Sequence, residues 1–319
     1  MNLHPLLLAL NLKARIAFFT VVLFTAAIWL LAHDLDEEVR DNFRDVLAAQ
    51  QLYTVEHIAS SLDEAVKLRL NALVDAASLI DPLWMGHGDR LHGFLANQMP
   101  LHRFFNTGLV VVSREGLGLA DWPPLEGREG ASFTNMAFFR EVMASGRPAI
   151  GKPIQGRFTR QPVINFAAPI KDRDGVVIGA LVGGNLLAGS DLLSEIVPRE
   201  LRMRGDLHVI SPRDGLFVAS TDPSRVLQPT SAKGVNLLID RFKEGYEGSG
   251  VSVNSRGVEN LSSGKRVAST GWLVVASLPT AIAFEPLLAL QRGIYKDAAL
   301  ASLLIALFLW WYLHRELSP

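Results

Sequence analysis

Two long apolar stretches bracket a polar middle. Ile16–Ala32 contains no charged residue and would span about 25 Å as a helix, close to the thickness of a bilayer core. The second stretch, Ala298–Leu313, has three consecutive aromatic residues just before its last residue, as membrane helices often do at an interface. The pattern predicts transmembrane helices at 16–32 and 294–313; the alternative for each is a buried core helix.

The basic residues flanking these stretches predict the orientation of the chain. Lys13 and Arg15 precede the first stretch and Arg315 follows the second. By the positive-inside rule, residues 1–15 and 314–319 lie in the cytoplasm, and residues 33–293 lie on the other side of the membrane. The alternative for the N-terminus is a cleaved signal peptide, but the apolar run is longer than such peptides usually have.

A helical pattern continues beyond the first stretch. From Leu35 to Ile80, apolar residues recur at steps of mostly three or four, and no glycine or proline occurs before Pro82. This predicts a stalk helix over residues 33–80, about 70 Å long. Such a stripe could pack on its own domain, on a second chain, or on both. We predict a homodimer formed through the stalk and the transmembrane helices; the alternative is packing on the chain's own domain.

Beyond Pro82 the pattern changes to short strands separated by polar turns. A hairpin is predicted around Arg114–Leu117, and a similar one about 99 residues later around Arg213–Leu216. Both have the same order of arginine, acidic residue, glycine and leucine. The pattern predicts an α+β fold with two tandem antiparallel-sheet modules: a membrane-distal module over residues 81–200 and a membrane-proximal module over residues 201–290.

Residues 130–187 carry an ordered set of motifs: the pair Phe138-Phe139, Gly151-Lys152-Pro153, Ala168-Pro169, an Asp-x-Asp-Gly turn at Asp172–Gly175, and the glycine-rich Gly179–Gly184. This set resembles the double Cache (dCache, or PDC-type) sensor domains of bacterial transmembrane receptors. The resemblance covers about residues 35–285 and implies two PAS-like modules. It also implies a small-molecule sensor for a cytoplasmic diguanylate cyclase, phosphodiesterase, histidine kinase or chemoreceptor module, which would lie beyond residue 319.

In this family the ligand usually lies between the sheet and the short helix of the distal module. Members that bind amino acids have an arginine where Met136 stands here, and an acidic residue where Asn185 or Leu186 stands. The resemblance therefore implies a neutral or anionic ligand, or none. The candidate ligand-binding residues are Trp122, Phe133, Asn135, Phe138, Phe139, Arg157, Arg160, Asn165 and Asn185. For the aromatic residues the alternative is core packing, for the arginines a solvated loop, and for Asn165 a structural hydrogen bond.

The composition and the absence of certain motifs narrow the possible classes of function further. The formal net charge is −1, which gives no indication of nucleic-acid binding, and the absence of cysteine excludes disulfides. His87 and His92 lie close in sequence, but no further ligand cluster is evident, so we predict no metal and no cofactor. No catalytic motif is present, which favours a sensor over an enzyme. The alternatives are a ligand-independent membrane scaffold, or binding subunit of a separate signalling partner, and an anchored extracytoplasmic enzyme.

Overall fold

A computed structural model describes residues 12–187, 205–254 and 256–317. Gln50–Pro279 forms one compact unit, and the segments before and after it form a second. The predicted boundary between the modules, at residues 200 and 201, lies outside the described residues, as does most of the predicted N-terminal segment 1–15.

Two long helices carry the apolar stretches. Helix α1 runs from Leu12 to Ser78, and α7 from Glu285 to Leu317. Among the described residues, two helical segments are long and apolar enough to cross a membrane: Phe18–Ser78, with mean hydropathy 1.8, and Glu285–Trp311, with 1.5. Within this unit Tyr295 Oη donates to Asp36 Oδ2 at 3.2 Å.

The distal module is a six-stranded antiparallel sheet with short helices around it. The strand order is β2-β1-β6-β5-β3, and β4 pairs with β5. A 3₁₀ turn at Pro82–Gly86 leads from α1 into the module. The elements that follow are α2 (Gly88–Ala96), α3 (Met99–Phe104), β1 (Leu109–Ser113), β2 (Gly118–Trp122), α4 (Ala137–Ser145), β3 (Ala149–Ile150), β4 (Ile154–Gln155), β5 (Pro162–Lys171) and β6 (Val177–Leu186).

The proximal module repeats this plan with five antiparallel strands in the order β8-β7-β11-β10-β9. Its strands are β7 (Asp206–Ser211), β8 (Leu216–Ser220), β9 (Gly248–Val253), β10 (Glu259–Arg266) and β11 (Leu273–Pro279). Its helices are a 3₁₀ turn at Pro223–Arg225 and α5 (Leu237–Lys243), and α6 (Thr280–Ala283) follows β11.

The repeated hairpin occupies the same place in both sheets. Gly116 and Gly215 have φ values of +83° and +67°, the left-handed region that glycine adopts without a steric penalty. The register shifts between Val111 and Val112 in β1, and again between Val209 and Ile210 in β7. The predicted fold class is therefore confirmed: a long N-terminal helix, two tandem antiparallel-sheet modules, and a candidate membrane helix at each end.

The apolar stripe of α1 is buried against its own chain from Val55 to Ile80. These side chains form one core cluster with one face of each sheet. The other face of each sheet packs on its short helix, through Phe138 and Phe139 of α4 or Leu238 and Phe242 of α5. From Val55 onward, the stalk therefore packs on the chain's own modules, as in the alternative interpretation.

Polar contacts tie the lower part of α1 to the proximal sheet. Gln51 Nε2 donates to the carbonyls of Leu261 and Ala276 at 3.2 and 3.3 Å. Ser263 Oγ donates to Gln51 Oε1 at 3.1 Å. One turn and three turns further along the helix, Glu56 pairs with Lys265 at 3.3 Å, and Asp63 accepts the Ser269 N–H at 2.7 Å.

Candidate functional site

A cavity lies in the distal module between the sheet and the α4 side. Its volume is about 550 Å³, including the open mouth. The floor comes from alternate residues of β1, β5 and β6, because alternate side chains of a strand point to the same face. The walls come from the loop before α4, from the start of α4, and from the loop after β4. The lining residues from the sheet are Val110, Val163, Asn165, Val182 and Gly184.

Four of the nine candidate residues line this cavity. Phe133 and Phe138 supply buried aromatic surface, Asn165 is half-buried on the floor, and Arg157 is exposed in the loop after β4. The guanidinium carbon of Arg157 lies 5.6 Å from the ring centroid of Phe158, which also lines the cavity. The sequence thus brings apolar rings, one amide and one cation to a single opening.

The other five candidates lie elsewhere. Phe139 is buried in the same core cluster without lining the cavity, and Asn135 and Arg160 are exposed outside it. Trp122 stacks on His102 with centroids 6.4 Å apart. Asn185 is buried and donates to the Phe104 carbonyl at 2.6 Å.

The strand register explains the position of Asn185. In antiparallel pairs, residues directly opposite share a face. Asn165 pairs with Gly184, and both line the cavity, whereas Asn185 pairs with Ile164 of the face that packs on α1. Leu186, opposite Val163, therefore has the register of the cavity face.

Gly184 allows a close approach at the cavity floor. A Cβ placed there would lie 2.1 Å from Thr107 Oγ1 and 3.0 Å from Asn165 Oδ1. Both side chains line the cavity. The absence of a side chain at Gly184 thus lets the Thr107 hydroxyl and the Asn165 amide both approach the strand, where they can orient a small polar group.

Arg128, which the sequence reasoning did not single out, also lines the cavity. Its Nε donates to buried Asp121 Oδ2 at 2.7 Å, Nη1 to the Thr107 carbonyl at 2.8 Å and Nη2 to the Pro123 carbonyl at 2.6 Å. All three guanidinium nitrogens are thus engaged within the protein. Arg128 supports the cavity wall, and Arg157 is the arginine with its charge turned to solvent.

No aspartate or glutamate occurs among the residues that line the cavity, all of which belong to the described part of the chain. The charged lining consists of Arg128, compensated by Asp121, and Arg157. Met136, which directly precedes α4, also lines the cavity. The cavity therefore offers an apolar interior with a cationic rim.

Comparison with known proteins agrees with this architecture. The family model described as a Cache domain, in its double form, matches residues 35–287. The chain belongs to the double Cache family, the sensor domains of bacterial transmembrane receptors. No curated protein matches the chain.

Solved structures share the fold at low identity. The ligand-binding domain of the Pseudomonas fluorescens chemoreceptor CtaA, in complex with L-leucine, is 16% identical with a TM-score of 0.57 over 78% of this chain and 100% of that one. That of the Pseudomonas aeruginosa amino acid chemoreceptor PctB, in complex with L-Arg, is 15% identical with a TM-score of 0.60, covering 76% and 98%. An extracellular ligand binding receptor from Desulfohalobium retbaense is 16% identical with a TM-score of 0.59 over 72% of this chain, which spans only 40% of that receptor.

Proposed function

We propose that this chain is the input half of a transmembrane receptor and binds a small molecule in the distal cavity, outside the cytoplasm. Helices α1 and α7 would cross the bacterial inner membrane, with both chain ends in the cytoplasm and residues 33–293 outside. A diguanylate cyclase, phosphodiesterase, histidine kinase or chemoreceptor module would receive the signal. The observation that carries the proposal is the open, largely apolar cavity, in the position where a ligand would be held between sheet and helix.

The charge of the lining supports a neutral or anionic ligand. An α-amino acid carries an ammonium group, which loses hydration on binding and needs an anionic or strong acceptor partner. The cavity supplies oxygen atoms from Thr107, Thr159 and Asn165, but no carboxylate. Arg157 can form a charge-assisted pair with a carboxylate, and the phenyl rings can cover an apolar tail. The CtaA and PctB domains named above are complexes with amino acids; we expect this chain to prefer a different class.

A ligand screen with a matched pair of arginine variants tests this. The full chain in detergent micelles is melted with a panel of monocarboxylates, neutral polar compounds and amino acids. We expect carboxylates or neutral compounds to raise the melting temperature. For a carboxylate, Arg157→Ala should weaken binding roughly ten- to a hundredfold, since a charge-assisted hydrogen bond is worth about 1.5–3 kcal/mol.

Arg160→Ala is the control, because Arg160 is exposed in the same loop but does not line the cavity. Equal losses from both variants would show that Arg157 makes no specific contact. A panel in which only amino acids bind would contradict the ligand class but leave the sensor function standing. A panel in which nothing binds would favour the ligand-independent scaffold.

Reporter fusions test the membrane topology. Alkaline phosphatase joined at about residue 200 should be active, because the enzyme folds only outside the cytoplasm, and a fusion after His314 should be inactive. The reverse pattern would exclude the proposed orientation.

Homodimerisation is a further part of the proposal, and the structure limits where α1 could support it. The stripe from Val55 onward is buried within the chain, whereas Leu35 and Val46 have 46% and 63% of their surface exposed. Because the chain has no cysteine, Arg40→Cys provides a single exposed thiol on this part of the helix. We expect disulfide-linked dimers in membranes, whereas a cysteine at exposed Arg173, in the turn between β5 and β6, should give none.

A further inference from the structure

Outside the cavity, the fold brings three potential metal ligands together from three separate elements. His92 lies in α2, Asp121 in β2, and Glu129 in the loop before α4. One imidazole nitrogen and one oxygen from each carboxylate lie within 4.8 Å of one another.

The backbone fixes which nitrogen of His92 faces the carboxylates. Its Nδ1 lies 2.9 Å from the Gly88 carbonyl oxygen, which can only accept, so Nδ1 carries the proton. In the neutral ring Nε2 therefore presents a lone pair, and it lies 3.6 Å from Glu129 Oε2. A histidine held by a backbone carbonyl through its second nitrogen is the usual arrangement of a metal ligand.

The 3.6 Å separation is too long for a hydrogen bond but close to the edge of a zinc tetrahedron. With metal–ligand bonds of about 2.0–2.1 Å, two ligand atoms at adjacent corners lie about 3.4 Å apart. Two facing acceptors repel each other unless a cation lies between them. A small shift of the exposed Glu129 side chain is sufficient to reach this geometry.

Asp121 supplies the second carboxylate and the third ligand, and its position is fixed by hydrogen bonds. Both of its hydrogen bonds fall on Oδ2, from Arg128 Nε at 2.7 Å and from the Leu125 N–H at 2.8 Å. Its Oδ1 accepts neither of these bonds. Arg128 offsets one negative charge, so with a neutral imidazole the group of four side chains keeps a formal charge of −1, which attracts a cation.

We propose that His92 Nε2, Glu129 and Asp121 form a binding site for a divalent transition metal of the zinc class. An imidazole ligand favours Zn²⁺ over Mg²⁺ or Ca²⁺, which select oxygen atoms. Three protein ligands leave a fourth position for solvent. The site borders Arg128, which lines the cavity, so a bound metal would also fix this wall of the sensor.

Calorimetry on the full chain in detergent micelles tests the site. After treatment with EDTA, the protein is titrated with ZnCl₂, and in parallel with CaCl₂. We expect one Zn²⁺ per chain and a higher melting temperature, since a ligand of the folded state stabilises it by mass action. Glu129→Gln and His92→Gln should each weaken Zn²⁺ binding by at least about tenfold.

His87→Gln is the matched control. Like His92, His87 donates its Nδ1–H to the carbonyl four residues earlier, here Leu83 at 2.9 Å, but it is not part of the cluster. This variant should bind Zn²⁺ as the parent does. Because the Glu129 side chain is 56% exposed, Glu129→Gln should keep its fold, which its melting temperature without metal will show.

Cobalt provides a second readout, which reports the coordination geometry of the bound metal rather than its affinity. Co²⁺ bound by these three residues and water should give the intense visible absorption of tetrahedral coordination, and Glu129→Gln should remove it. Absence of saturable Zn²⁺ binding, equal affinity in all three variants, or preference for Ca²⁺ would each overturn the proposal.

Discussion

A buried histidine should make the stability of the proximal module depend on pH. His208 lies in β7 and is 8% exposed. Its Nδ1 is 2.9 Å from Ser220 Oγ, and its ring meets Phe217 edge-on at 5.1 Å. Burial removes the water that would solvate the imidazolium and lowers the pKa of His208 from 6.5 to about 4, while the charge of Asp206 acts in the opposite direction.

The linkage between protonation and folding gives the sign and the size of this pH dependence. Because the pKa is lower in the folded chain, the folded state holds fewer protons, so the contribution of His208 to stability is complete above about pH 6.5 and is lost as the pH falls toward 4. Taking 6.5 for the unfolded chain and about 4 for the folded one, the loss is about 2 kcal/mol at about pH 5 and reaches roughly 3 kcal/mol below pH 4.

The variant His208→Gln removes the titrating ring and keeps a polar group beside Ser220. Urea unfolding of the full chain in micelles, followed by tryptophan fluorescence, gives the free energy of unfolding at about pH 8 and about pH 5. We expect the wild-type chain to lose about 2 kcal/mol more than His208→Gln between these values. Other titrating groups cancel in this difference.

His57→Gln serves as the control, because His57 is exposed on α1 and its Nδ1 also meets a serine hydroxyl, Ser61 Oγ at 3.1 Å. This variant should lose as much stability as the wild type over the same interval. The reasoning fails if His208→Gln and the wild type lose equal free energy, within about 0.5 kcal/mol, the usual limit of such comparisons.

Two further predictions concern packing and charge in the distal module. Arg128→Leu should lower the free energy of unfolding by about 3–5 kcal/mol, since it leaves the Asp121 carboxylate buried without its partner. The double variant with Asp121→Leu should recover part of this loss in the same urea assay. If Arg128→Leu alone leaves the free energy of unfolding unchanged, the stabilising role of the Arg128–Asp121 pair is contradicted. Gly183→Ala should cost about 1–3 kcal/mol, because its Cβ would lie 2.6 Å from ring atoms of Phe105. Gly93→Ala, in α2 with nothing within 4 Å, should instead stabilise by up to about 1 kcal/mol, and equal effects at both glycines would contradict the packing argument.

The sequence predicted the architecture because its signals are local. The turn glycines of Arg114–Leu117 and Arg213–Leu216 require a positive φ, and the structure gives both hairpins the same place in their sheets. The stalk pattern was likewise readable, because one face of α1 is apolar over many turns. The sequence could not predict which surface packs on this face, because an apolar stripe packs equally well on a neighbouring sheet or on a second chain.

The cavity was harder to predict, because its strands are buried on both faces. In β5 and β6 the alternation of apolar and polar residues is weak, so Asn165 and Asn185 look alike in sequence although they point to opposite faces. Arg128 lies in a polar run, where an arginine normally remains in water. Its burial depends on Asp121, seven residues earlier, and on two carbonyl groups that only the folded loop brings together.

The shared use of α1 means that the proximal module is not a contiguous piece of the gene. The helical surface that completes the proximal sheet is encoded around Gln51–Asp63, well over a hundred residues before the first strand of that sheet. The following turns, up to Ile80, continue the same core cluster toward the distal module, where Arg69 lies over the ring of Phe104. A chimera that exchanges one module must therefore exchange its matching turns of α1 as well. A cut placed between the two sheets would separate the proximal sheet from the turns of α1 that complete its core.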